Sequence, residues 1–154
     1  MRHNPPYKPL DLVLSYCHLT LQNDALETFG PLLENRGQVQ QVLNASPLSM
    51  GLLTPSPPKW HPAPKEVIKA AQVACQMTAG TLPNLALGYS IRQSLGGKMP
   101  VAVGYSSLQE VHASVEVLRE DIGLKEKEEE VMRMFEGHKV KNNSWVTTGS
   151  VEGS

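Results

Sequence analysis

The hydrophobic positions of this chain fall into two alternating patterns. Short apolar runs sit at residues 11–17, 39–43 and 101–103. Between and after them, apolar residues return every three or four positions. The run around Leu12, Val13 and Leu14 is nearly continuous, as expected of a parallel strand covered on both faces. Asn23-Asp24 then offers a helix start, and Leu26, Phe29 and Leu33 share one face, with Pro31 placed to break or restart that helix and Gly37 to end it. Residues 54–64 hold five prolines and Trp60, which predicts a long loop of the kind that serves as a lid or binding segment. Helical spacing resumes at Lys65 with Val67, Ile68, Ala71 and Ala74, and stops at Gly80. Thr81-Leu82-Pro83 opens a short helix that runs to Ile91.

Gly96-Gly97 turns the chain into the third strand, which ends at Gly104. Ser107-Leu108-Gln109-Glu110 has the form of a capping box: the serine oxygen accepts a backbone N–H and Glu110 reaches back towards the cap. Leu108, Val111, Val115 and Leu118 continue that helix. A last one, residues 124–136, sets Val131 and Phe135 against a glutamate-rich solvated face. From Gly137 the sequence is polar and reads as a loosely attached tail. The order of strands and helices predicts an α/β protein with a parallel sheet and right-handed crossovers. Three bodies of sequence follow: an extension over 1–9, a folded portion over 10–136 and a tail over 137–154.

Composition narrows the classes of function. With 154 residues, 40% hydrophobic, 19% charged and net charge -1, the chain suits one soluble domain. Neither sign of charge dominates, which argues against a nucleic-acid or anionic-membrane partner. No run is long enough for a bilayer span, and the first residues lack a signal-peptide pattern, so a cytoplasmic location is the expectation. Cys17 and Cys75 stand alone and read as reduced thiols. No histidine pair has metal-ligand spacing, and no nucleophile elbow is present.

Several stretches resemble the aldo-keto reductases, in the branch of the L-galactose and D-arabinose dehydrogenases. They are Asp11-Leu-Val-Leu-Ser-Tyr-Cys-His18, Asn44-Ala-Ser-Pro-Leu-Ser-Met-Gly-Leu-Leu53 with Pro57-Pro-Lys-Trp-His-Pro-Ala-Pro64, and Val101-Ala-Val-Gly-Tyr-Ser-Ser107. Leu85-Ala-Leu-Gly-Tyr-Ser-Ile91 and Val140-Lys-Asn-Asn-Ser-Trp145 add to the match. The resemblance implies the C-terminal portion of a TIM (β/α)8 barrel, about three βα units plus a terminal helix. A whole barrel takes roughly 250 residues.

It also implies a nicotinamide dinucleotide, NAD(P), with its pyrophosphate on Ser46, Leu48, Met50 and Gly51 and its adenosine end near Gly104, Ser106 and Ser107. A tight turn after a strand offers backbone N–H groups to phosphate; the same residues also make an ordinary turn. Glu110 stands where NADP-preferring relatives carry an arginine, so the resemblance favours NAD. Departures at Leu14, Ala45, Ala113 and Ser114 replace other cofactor contacts of the family and imply weakened binding. Trp60 and His61 would line an aldose pocket or pack the Pro-rich loop. The family's catalytic aspartate, tyrosine, lysine and histidine belong to the first half of the barrel, and His18 has no place among them. The expected chain is thus a truncated reductase, inactive alone, that self-associates through exposed edge strands. A non-enzymatic binding or interaction protein is the alternative.

Overall fold

The computed structural model describes residues 8–96, 99–119 and 124–145. Strand β1 (Leu12–Tyr16) leads to helix α1 (Ala25–Asn35), and strand β2 (Gln41–Ala45) to helices α2 (Lys65–Met77) and α3 (Leu82–Gly96). Strand β3 (Val101–Ala102) is followed by helices α4 (Leu108–Arg119) and α5 (Leu124–Gly137). The three strands form one parallel sheet in the order β1-β2-β3. This is the α/β arrangement that the alternating patterns predict. The terminal residues 1–7 and 146–154 of the expected extension and tail lie outside the described residues, as does Gly97.

Register decides what each face of the sheet meets. Val13 and Ser15 pair with Val42 and Asn44, and this face is turned to the helices. Val42 and Asn44 are buried there, and Val42 packs with Leu19, Leu26 and Val39. The opposite face carries Leu12, Leu14 and Tyr16 in register with Gln41, Leu43 and Ala45. Nothing among the described residues covers its β1 edge, so Leu12 and Leu14 stay 53% and 49% exposed. The apolar run of β1 therefore does not mean a strand buried on both sides within this chain.

The larger core sits between helices. Every third or fourth residue of α2 (Val67, Ala70, Ala71, Ala74) is buried, and the small alanines let α5 approach closely. Leu85, Ala86 and Tyr89 of α3 close one side, and Val131 and Phe135 of α5 the other. Arg92 of α3 pairs with the buried Glu128 of α5, pinning the two helices together.

Pro31 leaves α1 intact. It removes one N–H donor, but the ring lies on the exposed side and the helix resumes its bonding, with Arg36 N–H donating to the Leu32 carbonyl. Nor does α3 stop at Ile91: it runs on to Gly96, and the buried Asn44 amide donates to the Ser90 and Ser94 hydroxyls along it.

The segment after α5 differs most from expectation. Through Trp145 it is tied down instead of loose. Gln22 Nε2 donates to the carbonyls of Val140 and Asn143 at 2.8 and 3.1 Å. Asn142 N–H donates to the Gln22 carbonyl at 2.8 Å, and its Oδ1 accepts the Asp24 N–H. Lys141 meets the Asp24 carboxylate at 2.9 Å. A polar sequence here encodes hydrogen bonds to one particular loop, which composition alone does not reveal.

A cleft at the C-terminal ends of the strands

All three strands point their carboxyl ends at one cleft of about 860 Å³, within the usual range for small-molecule sites. In open α/β sheets ligands bind at this end of the strands. The chain leaves β2 through Ser46, Pro47 and Leu48 into a turn of unusual backbone. Ser46, Ser49, Met50 and Gly51 all have left-handed φ, of 60, 51, 60 and 84°. The left-handed region costs a non-glycine residue about 1 kcal/mol or more, so this turn is held open by its surroundings. At Gly51 the strain is avoided, and an added Cβ would meet Pro58 at 3.2 Å.

The restraints can be named. Ser46 Oγ accepts the Met50 N–H at 2.8 Å, and Ser49 Oγ donates to Thr20 Oγ1 at 3.1 Å. The N–H groups of Ser49 and Gly51 are spent on the carbonyls of Ser46 and Leu48. The Ser46 hydroxyl is engaged with the Cys17 thiol, which leaves the Leu48 N–H as the turn's open donor among the described residues.

The other wall is the start of α4. Ser107 Oγ caps the Glu110 N–H at 3.2 Å, as the capping-box pattern requires. Glu110 reaches one residue past the cap, taking the Ser106 N–H at 2.7 Å and the Ser106 hydroxyl at 2.9 Å. These two donors hold its carboxyl below the usual range. A negative charge therefore stands where the helix N-terminus would otherwise attract an anion.

Ser46, Leu48, Met50, Gly51, Gly104, Ser106 and Trp60 all line the cleft. Ser107 and His61 do not. His61 is buried beneath the turn: Ala63 N–H donates to its Nδ1 at 3.1 Å, so Nε2 bears the proton and donates to the Ser49 carbonyl at 2.8 Å. Trp60 remains 68% exposed at the rim. Three lining residues were not singled out for the site by the sequence, namely Pro83, Asn84 and Leu87 at the start of α3. Only the strand order brings α3 alongside β3 and so to the cleft. Among the described residues no lysine, arginine or histidine lines it, and Glu110 is its single acid.

Two groups near the strand exits make stability depend on pH. Burial lowers the His18 pKa from its ordinary 6.5. Burial alone would raise Asp24, but hydrogen bonds from Lys141 and Asn142 and the Lys141 charge outweigh it and hold the carboxyl below 3.8. In both cases the unfolded chain binds the proton more tightly, so stability is full above the ordinary value and is lost as pH falls. The thermal midpoint should drop on going from pH 7.5 to 5.5, the window in which the lowered His18 pKa acts. His18→Gln should flatten that segment and leave the steeper loss below pH 4.

No protein-family model matches the chain. It is 36% identical over 147 residues to L-galactose dehydrogenase of Arabidopsis thaliana, covering 91% of this chain and 44% of that protein. It is 39% identical over 111 residues to D-arabinose 1-dehydrogenase of Saccharomyces cerevisiae, covering 70% of this chain and 33% of that protein. The chain thus spans less than half the length of either relative. The similarity of the chain is thus to part of the L-galactose and D-arabinose dehydrogenase branch that its sequence motifs resemble.

Proposed function

We propose that this chain is the cofactor-holding C-terminal portion of a (β/α)8 aldose dehydrogenase, with β1, β2 and β3 as the last three barrel strands. The observation that carries this reading is the convergence of the Ser46–Gly51 turn and the Gly104–Ser106 segment on one cleft beyond the strand ends. The Leu48 N–H is the donor left for a pyrophosphate, and Gly51 keeps the turn free of a side chain. When bound, a nicotinamide dinucleotide supplies the hydride acceptor for C1 of an aldose of the L-galactose or D-arabinose type. Trp60 presents an exposed indole at the rim, a surface suited to the apolar face of a sugar ring.

Two features set the limits of that function. Among the described residues the cleft has no cation to offset the two charges of a pyrophosphate, so affinity is weak. It also has no lysine or histidine to activate a tyrosine as an acid or base near neutral pH. Aldose oxidation therefore requires groups that these residues do not supply, and the 154-residue chain alone is inactive. Glu110 makes NAD the better ligand, because a ribose 2′-phosphate beside its carboxylate is repelled.

Titration with NADH and NADPH tests this. NADH should bind about tenfold more tightly, and Glu110→Arg should reverse the order. Glu110→Gln, which keeps hydrogen bonding to Ser106 but not the charge, should fall between. No binding of either nucleotide at millimolar concentration would sink the cofactor reading, and aldose-dependent NADH formation by the chain alone would refute its inactivity.

The exposed row Leu10, Leu12, Leu14 and Tyr16 favours a second reading, association between copies of the chain through this face. A partner-binding protein without catalysis would use the same surface.

A further inference from the structure

The strained turn is supported from a direction that a cofactor-binding role does not require. Beyond α5 the chain returns across the exits of β1 and β2 and sets Trp145 against two parts of the turn's support. The Trp145 indole N–H donates to the Met50 sulfur at 3.5 Å. Its ring meets His61 edge-on, with centroids 5.0 Å apart and planes at 66°. His61 in turn holds the Ser49 carbonyl. Thus Ser49 and Met50, two of the left-handed residues, are both held through Trp145: one directly, one by way of the imidazole.

Trp145 is itself fixed by the Gln22 bonds to Val140 and Asn143. The loop that bears Gln22 also bears Thr20, which takes the Ser49 hydroxyl. One loop therefore braces the turn twice, once from Thr20 and once through the returning segment.

We propose that Trp145 is a positioning residue: it lies outside the cleft lining, and it keeps the turn that carries the Leu48 N–H in shape for a pyrophosphate. The proposal rests on the cofactor reading above. Its physical basis is that a turn with unfavourable backbone angles relaxes when its outer contacts go, and donors displaced by a fraction of an ångström lose most of their value. The strands and the bonds within the turn do not involve Trp145, so the variant retains its fold while the donor drifts.

The test uses the full chain and two probes. ADP-ribose carries the pyrophosphate; adenosine carries only the part expected at Gly104–Ser106. Trp145→Ala should weaken ADP-ribose by about tenfold and leave adenosine unchanged. Trp145→Phe, which keeps a ring against His61, should recover most of the loss. Thermal melts of each variant report folding separately. Unchanged ADP-ribose affinity in Trp145→Ala overturns the proposal while leaving the cofactor reading intact. Parallel loss of both probes with a collapsed melt also overturns it, since Trp145 would then be structural only. If the unaltered chain binds neither ADP-ribose nor NADH, the cofactor reading falls and this proposal falls with it.

Discussion

Phe135→Ala should destabilise the chain by about 3–5 kcal/mol, the usual cost of emptying a fully buried aromatic site. Phe135 is 0% exposed and belongs to the cluster that joins α2, α3 and α5. Its neighbours cannot collapse into the void. The alanines of α2 have no side-chain length to spare, and Val131 and Val140 are fixed by their own helix and by the returning segment. Chemical denaturation would show the loss as a lower midpoint with an unchanged slope. A cost under about 1 kcal/mol would mean that α5 is not part of the cooperative unit.

The second large effect concerns the bare face of the sheet. Burying a half-exposed leucine recovers about 1 kcal/mol, so the row from Leu10 to Tyr16 offers a second copy of the chain about 4 kcal/mol. Leu10→Lys with Leu12→Lys should weaken self-association by about 100-fold, which is about 2.7 kcal/mol. Both residues are more than half exposed, and neither lines the cleft, so nucleotide affinity should be unaffected. Sedimentation over a range of concentrations reads the result directly. An unaltered chain that remains monomeric at high concentration would remove association from its function.

How much of this was legible depends on the range over which each signal acts. Strands and helices were, because period and capping are local: Ser107 caps the Glu110 N–H as their spacing implies, while the Glu110 carboxylate takes the N–H of Ser106 instead of that of the cap. β2 lies two residues further on than its apolar run, since Val39 is spent on the small cluster with Leu19 and Leu26 instead of on the sheet. Of the cleft, the turn after β2 and the Gly104–Ser106 segment were readable through the resemblance. The burial of His61 was not, because a Pro-rich loop gives no sign of which side faces the turn. The anchoring of Val140–Asn143 was invisible for a different reason. Its partners lie 118 and 121 residues away, on Gln22, and nothing in the local sequence announces them.

That separation has a consequence for how the chain acquires its shape. Contacts between residues so far apart are the slowest to form, because their loop-closure entropy is met before any contact rewards it. During synthesis the β1 exit loop emerges long before Asn143, so the turn after β2 waits for its outer brace until the ribosome has released residues 140–145. On the cofactor reading proposed above, a ligand added to a refolding mixture should report a later phase than the recovery of helix.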